Sequence, residues 1–152
     1  MATHLKVGDK APDFKATNQN NEEVSLTVYA GKKLVLYFYP KDNTPTCTTE
    51  SCNLSDNYGA LQKAGYEVLG VSSDSAKKHQ NFINKYGLPF DLLVDENQEV
   101  QQTYGVWGEK KMYGKPYMGT VRTTFLIDEN GNIEKIIEKV KAKEHHAQIL
   151  ED

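Results

Sequence analysis

The chain contains two cysteines, Cys47 and Cys52, and a single arginine, Arg122, among 18 basic residues. A deprotonated cysteine is a strong nucleophile, whereas a protonated cysteine usually packs as a small apolar side chain. Arginine carries a permanent charge and a planar fork of N–H donors, so it can hold a thiolate or a developing oxyanion. The composition therefore leaves two roles open for each cysteine, thiolate chemistry or packing in the core.

The position of Cys47 favours chemistry. The apolar run 34–39 predicts a buried strand, a proline-containing turn follows, and a helix is predicted to begin near Thr46. Cys47 would then lie in the first turn, where free backbone N–H groups and the positive end of the helix dipole favour a thiolate. Position alone still allows a buried, unreactive cysteine at this site.

Cys52 lies five residues after Cys47 in the same predicted helix. Ideal helix geometry separates their Cα atoms by about 8.6 Å. That distance exceeds the limit of about 7 Å for a disulfide. The spacing therefore argues against a static disulfide and allows a transient one, for which the first turns of the helix must unwind. Packing in the core remains an open role for Cys52.

Strands and helices alternate along the rest of the chain. Strands are predicted at 24–26, 34–39, 66–71, 92–94, 123–127 and 133–140, and helices at 46–63, 75–86, 96–104 and from 143 onward. Residues 105–119 predict an ordered loop in which Trp107, Tyr113 and Tyr117 either line a pocket or pack over the sheet. The expected class is α/β, a single domain with a mixed central β-sheet flanked by helices on both faces.

Composition and spacing exclude several functions. The net charge of −3 argues against nucleic acid or an anionic membrane as the main partner. No apolar run approaches the ~20 residues of a membrane span, and the N-terminus lacks a secretory signal, so a cytoplasmic protein is expected. His145 and His146 are adjacent and would diverge on a helix, while His4 and His79 stand alone. Neither a metal site nor a cofactor is expected.

The residues around Cys47 form a motif that resembles that of a known family. The pattern Pro40-x-x-x-Thr44-x-x-Cys47 resembles the peroxiredoxin active-site motif, and the string YFYPKDNTPTCTTESC is similar to the peroxiredoxin Q (bacterioferritin comigratory protein) subfamily. Stretches at 11–14, 70–74, 104–107 and 121–128 share the resemblance, which runs from about residue 6 to residue 143. Thr46 is a departure, since the subfamily usually has glycine at this position.

The resemblance implies a thioredoxin-like fold with an N-terminal β-hairpin extension, and a thiol peroxidase activity. By similarity Cys47 is the peroxidatic cysteine and Cys52 the resolving cysteine. Arg122 matches the active-site arginine, and Thr44 matches the hydroxyl that contacts the peroxide. The implied partners are hydrogen peroxide or organic hydroperoxides as substrate and thioredoxin or a similar dithiol as reductant, with a monomeric enzyme.

The chemistry of the residues is compatible with these roles. A thiolate that attacks a peroxide expels a poor leaving group, which a guanidinium can stabilise better than an ammonium group can. Pro40 would restrict the loop and shield the thiolate, or would only end the strand. Glu50 would orient Arg122 through an ion pair, or would be an ordinary acid near a helix N-terminus.

Two other functions compete with the peroxidase. A thioredoxin-type disulfide oxidoreductase would have C-x-x-C at the helix start and a cis-proline before the later strand, where this chain has Val121-Arg122. A non-enzymatic peroxide sensor or holdase on the same fold uses the same sulfenic acid. The sequence argues against the oxidoreductase and leaves the sensor open.

Overall fold

The computed structural model describes residues 3–151. Its strands are β1 (Lys15–Asn18), β2 (Glu23–Ser25), β3 (Lys33–Phe38), β4 (Tyr66–Ser72), β5 (Asp91–Val94), β6 (Trp107–Met112), β7 (Lys115–Thr120), β8 (Thr123–Ile127) and β9 (Ile133–Ile137). Its helices are α1 (Pro45–Asp56), α2 (Tyr58–Lys63), α3 (Ala76–Tyr86), α4 (Glu99–Thr103) and α5 (His145–Leu150), with short 3₁₀ turns at Leu26–Tyr29 and Ala142–Glu144. None of the helices in this part of the chain reaches the length and hydrophobicity that a bilayer-crossing segment needs.

Seven strands form one mixed sheet in the order β2-β1-β5-β4-β3-β8-β9. Strands β3, β4 and β5 are parallel, as expected for strands joined by helical crossovers. The C-terminal hairpin of β8 and β9 adds two antiparallel strands beside β3. The N-terminal hairpin of β1 and β2 is present and joins the opposite side of the same sheet through β1 and β5.

The central strand β3 is buried on both faces, because helices cover both sides of the sheet. Leu34, Leu36 and Phe38 pack into one core cluster with α4, and Val35 and Tyr37 pack into the other with α1, α2, α3 and α5. This division follows from the alternation of side chains along a strand. Burial of each such side chain is worth roughly 1.5–3 kcal/mol, so β3 is a rigid base for the residues that follow it.

The predicted helix 46–63 is two helices in the structure. Asn57 has φ −111° and ψ 14° and separates α1 from α2. Its side-chain amide donates to the carbonyl oxygen of Asn53 at 2.8 Å, a local bond that competes with a continuous helix. The start of α1 also lies one residue earlier than predicted, since Pro45 occupies the first helical position, which suits proline.

The prediction of a loop over 105–119 is wrong. Strands β6 and β7 form a separate two-stranded antiparallel hairpin, in which Trp107 pairs with Thr120. Its two-residue turn is Tyr113-Gly114, with φ values of 53° and 78°, a geometry that normally selects Asn-Gly. Tyr113 is 98% exposed and Tyr117 41%, so these two rings do not pack over the sheet.

Gly70 in β4 tests the packing of the central strands. A Cβ atom there would lie 2.7 Å from Leu92 Cδ2 and 2.8 Å from Tyr37 Cζ, both in the buried core. We expect Gly70→Ala to lower the free energy of unfolding by about 1–3 kcal/mol, measured by urea denaturation. Gly59→Ala in α2 is the matched control, because nothing lies within 4 Å of its added methyl group. Equal stability of the two variants would contradict this packing.

Candidate active site

Cys47 is carried to the first turn of α1 by the loop that follows β3. Thr44 is the N-cap residue, with an extended backbone, and its carbonyl oxygen accepts from the backbone N–H of Thr48 at 2.8 Å. Cys47 is the third residue of the helix and only 1% exposed. The predicted position in the first turn is therefore confirmed, and the free N–H groups of that turn lie where they favour a thiolate.

Arg122 reaches this cysteine from the neighbouring strand. It directly precedes β8, and Thr123 pairs with Phe38 at the end of β3, which places Arg122 at the same edge of the sheet. Its Nη2 donates to Cys47 Sγ at 3.1 Å, and its Nη1 donates to Glu50 Oε1 at 2.6 Å. Burial acts to lower the pKa of Arg122, but Glu50 and Cys47 raise it above the ordinary value. The guanidinium thus remains charged while it bridges the two side chains.

Glu50 lies one helical turn after Cys47 and is completely buried. Its Oε1 accepts from Arg122, whereas its Oε2 has no hydrogen-bond partner among residues 3–151 and lies 3.5 Å from His145 Nε2. Burial raises the pKa of the Glu50 carboxyl to about 7, and the charge of Arg122 opposes the shift. The structure therefore places Glu50 against the arginine, in an environment that disfavours its charged form.

Thr44 and Pro40 lie in the loop between β3 and α1. The Thr44 hydroxyl donates to the carbonyl oxygen of Lys41 at 2.8 Å, so it is hydrogen-bonded within its own loop. Pro40 is half-buried and follows Tyr39, whose backbone N–H donates to Val71 O at 3.1 Å. The loop thus leaves the sheet with a fixed direction before it reaches the helix.

Cys52 occupies the same unbroken helix as Cys47, and both thiols are free. It is half-buried, and burial, with a smaller contribution from Asp56, raises the pKa of its thiol. Cys52 is consequently kept as a thiol while the helix is intact, and the helix separates it from Cys47.

A buried pair that the sequence did not reveal holds the loop before α1. The imidazole Nδ1 of His79 in α3 lies 2.6 Å from Asp42 Oδ2, and its Nε2 lies 2.9 Å from the carbonyl oxygen of Leu93. Tyr39 donates its hydroxyl to Asp42 Oδ1 at 2.5 Å. Asp42 and His79 are 37 residues apart, so no local pattern predicts their contact. The pair connects the active-site loop to α3 and β5.

Asp42, Asp74 and His79 also form a group whose possible metal-ligand atoms lie within 4.8 Å of one another. Asp74 Oδ2 already accepts from the Asp42 backbone N–H at 2.7 Å and from the Ser72 hydroxyl at 2.8 Å. Because these polar atoms have partners within the protein, we assign no metal ion to the group.

The geometry around Cys47 suits one reaction best. A thiolate can attack a peroxide oxygen while the adjacent guanidinium stabilises the negative charge that develops on the leaving oxygen. The fixed fork of Arg122 holds that charge in place without reorganisation during the reaction. Together with the sheet topology, this arrangement defines the class of the protein as a thiol-dependent peroxidase.

The sequence profile of the AhpC/TSA family matches residues 7–136, and the chain belongs to this family of peroxiredoxins. Peroxiredoxin Bcp of Bacillus subtilis is 46% identical over 147 residues, which cover 97% of this chain and 94% of the relative. Peroxiredoxin Q of Xanthomonas campestris is 37% identical with a TM-score of 0.86, over 97% of this chain and 94% of that chain. A Xylella fastidiosa PrxQ structure is 33% identical with a TM-score of 0.91, over 98% and 95%. The thioredoxin-like fold and the resemblance to the peroxiredoxin Q group are confirmed.

The bridging geometry of Arg122 leads to a first prediction about reactivity. Lysine keeps the charge at this position, but it lacks the planar fork through which two separate nitrogens contact Glu50 and Cys47. We expect Arg122→Lys to lower the rate constant for oxidation of the reduced protein by hydrogen peroxide about 10²–10³-fold, measured by stopped flow. Lys115→Arg, on the exposed hairpin, is the control exchange. A rate constant for Arg122→Lys within a few-fold of the unsubstituted protein would show that charge alone suffices.

The Asp42–His79 pair leads to a prediction about stability. Asp42→Ala strands the buried imidazole without its carboxylate partner, and we expect a loss of about 3–5 kcal/mol in the free energy of unfolding. The double variant Asp42→Ala/His79→Leu also removes the imidazole, so it should recover the part of the loss that comes from the stranded histidine, while the Tyr39 hydroxyl lacks its acceptor in both variants. Chemical denaturation of both single variants and the double variant gives the coupling energy. Additive losses would mean that the two side chains do not stabilise each other.

Proposed function

We propose that Cys47 is the peroxidatic cysteine of this thiol-dependent peroxidase and that Arg122 activates it. The observation that supports the proposal most directly is the 3.1 Å contact between Arg122 Nη2 and Cys47 Sγ, within a first helical turn. The Cys47 thiolate attacks one oxygen of the hydroperoxide, and the O–O bond breaks. The sulfur becomes a sulfenic acid, and the departing oxygen takes up a proton and leaves as water or an alcohol.

The loop residues Thr44 and Pro40 complete the proposed site. In the structure the Thr44 hydroxyl donates a hydrogen bond to the Lys41 carbonyl oxygen. On substrate binding this hydroxyl turns to contact a peroxide oxygen. Pro40 restricts the loop and shields the sulfur from water. Glu50 orients Arg122 through the 2.6 Å bond to Nη1, so that Nη2 remains directed at Cys47.

Cys52 is the proposed resolving cysteine. Its sulfur attacks the sulfenic sulfur of Cys47, so that a disulfide forms and water leaves. Because both residues lie on one continuous helix, the first turns of α1 must unwind before the sulfurs can bond. Asn53 marks where the unwinding stops, since its side chain donates to Lys143 O at 2.9 Å and accepts from the His146 backbone N–H at 2.8 Å.

An external dithiol then reduces the disulfide through a mixed-disulfide intermediate. The family implies thioredoxin as this reductant, and we propose that a single-domain monomer in the cytoplasm carries out the cycle. The proposed substrates are hydrogen peroxide and organic hydroperoxides. In support of the latter, the 36%-identical Xanthomonas campestris bacterioferritin comigratory protein has alkyl peroxide reduction activity.

Serine variants of the two cysteines test the cycle. Cys47→Ser should abolish peroxide consumption, because a hydroxyl at this position does not ionise as a thiol does. Cys52→Ser should consume one equivalent of peroxide and then stop with thioredoxin, and a small added thiol should restore turnover. The readouts are peroxide consumption with a hydroperoxide panel and a sulfenic-acid trap. Normal thioredoxin-dependent turnover by Cys52→Ser would overturn its resolving role and leave that of Cys47 intact.

A further inference from the structure

The buried carboxyl of Glu50 has one oxygen, Oε2, that accepts no hydrogen bond within the part of the chain that the structure describes. Glu50 and His145 are both completely buried, and Glu50 Oε2 lies 3.5 Å from His145 Nε2 without a hydrogen bond. A buried carboxylate oxygen without a donor carries a large desolvation penalty. The protonation state of His145 therefore decides whether Glu50 has a donor.

Hydrogen bonds within the C-terminal segment define that state. Gln148 Oε1 accepts from the Lys141 backbone N–H at 2.9 Å, and Gln148 Nε2 donates to Lys139 O at 2.9 Å, which orients the amide. The same Oε1 lies 2.8 Å from His145 Nδ1, so Nδ1 carries the hydrogen. In a neutral ring Nε2 is then bare and accepts from the Thr124 hydroxyl at 2.8 Å. A bare Nε2 cannot donate to Glu50.

The charges around Glu50 point in the same direction. The Cys47 thiolate and an ionised Glu50 would share one guanidinium, and with a neutral imidazole this buried group would carry a net negative charge. From β3, Tyr37 adds no charge, because burial raises the pKa of its hydroxyl well above the usual value and keeps the side chain neutral. Lys110 of β6 lies near Arg122 and Cys47, but its Nζ donates to the carbonyl oxygen of Thr120 at 2.9 Å and not to Glu50.

The neighbouring histidine on α5 does not supply the missing donor either. The His146 ring Nδ1 lies 3.0 Å from Asn53 Nδ2, and its backbone N–H donates to Asn53 Oδ1. An added proton on the Glu50 carboxyl would bring the group of Cys47, Arg122, Glu50 and His145 to neutrality. It would also remove the charge from the orphaned oxygen, whose O–H would face His145 Nε2 at 3.5 Å while the Thr124 hydroxyl keeps its hydrogen bond to that nitrogen.

We propose that Glu50 is a neutral carboxylic acid in the reduced protein, with its proton on Oε2 facing His145, so that the charge of Arg122 is left to the Cys47 thiolate. His145 is then a positioning residue, which acts on the reacting sulfur through Glu50 and Arg122. This inference rests on the proposed roles of Cys47 and Arg122 for its consequence in catalysis. The protonation of Glu50 itself does not depend on those roles.

Burial shifts the pKa values of Glu50 and His145 in the directions that the proposal requires. It raises the pKa of Glu50 to about 7, with Arg122 opposing, and it lowers the pKa of His145 to about 4. The proton therefore belongs to Glu50 and not to the imidazole. Below pH 7 Glu50 is neutral, and above it the carboxylate competes with Cys47 for Arg122.

Infrared difference spectroscopy of the reduced, full-length protein across a pH titration tests the proposal. We expect a carboxylic-acid C=O band that disappears with a midpoint of about 7 and that is absent in Glu50→Gln. His145→Gln offers an amide N–H donor to the carboxylate, so its midpoint should fall by a pH unit or more, a tenfold increase in acid dissociation constant. His146→Gln, at the adjacent position, is the matched control and should leave the midpoint unchanged.

Three results would overturn the proposal. They are the absence of the band in the unsubstituted protein, a band that survives in Glu50→Gln, and a midpoint that His145→Gln leaves unchanged. Where His145→Gln does not fold, nitrogen NMR of the unsubstituted protein decides, since an imidazolium form of His145 near neutral pH would place the proton on the wrong residue. These readouts need no turnover, so they remain valid where the proposed role of Cys47 fails.

The pH dependence of peroxide reduction tests the catalytic consequence separately. In the unsubstituted protein the rate constant for oxidation should show a step near pH 7 that reflects ionisation of Glu50. Glu50→Gln cannot ionise, so that step should be absent from its profile whatever its absolute rate. Persistence of the step in Glu50→Gln would assign it to another group and would overturn the link from Glu50 to the sulfur.

Discussion

A single guanidinium organises the reactive end of this peroxiredoxin. Arg122 donates one N–H to Cys47 Sγ at 3.1 Å and another to Glu50 Oε1 at 2.6 Å, and it joins β8 to the first turns of α1. The planar fork of the guanidinium makes both bonds at fixed relative positions. The register of β8 against β3 fixes the position of the Arg122 backbone. The site therefore requires the C-terminal hairpin, which pairs antiparallel with β3.

The helix that carries Cys47 meets two opposing demands. Its intact first turn presents N–H groups and the helix dipole to the sulfur, which favours the thiolate. The same intact helix holds Cys52 too far away for a disulfide, so the proposed resolution step needs the turn to open. The contacts divide the helix accordingly, since Asn53 and the buried Leu54 attach its later turns to the rest of the fold. Glu50 belongs to the part that must open, which connects the chemistry of the cysteines with the protonation of a buried acid.

Two buried polar pairs near the site carry a desolvation penalty that lowers the stability of the core. Asp42 with His79 holds the loop before α1, and Glu50 with His145 lies behind the arginine. Hydrophobic side chains at these positions would avoid the desolvation penalty that buried polar groups carry. In the proposed mechanism these polar groups position the loop and the guanidinium.

Local patterns in the sequence were sufficient for the strand β3, for the helix start near Cys47 and for the alternation of strands and helices, because these depend on neighbouring residues and on side-chain periodicity. The β6–β7 hairpin was not predicted, because its turn has Tyr113-Gly114 where this geometry normally has Asn-Gly. The contacts that make the site were decided by tertiary structure. Arg122 lies 75 residues from Cys47, and the distance between them depends on strand register and on packing of the whole sheet. The motif thus predicted which residues react, and only the folded chain determined which charged and buried groups surround them.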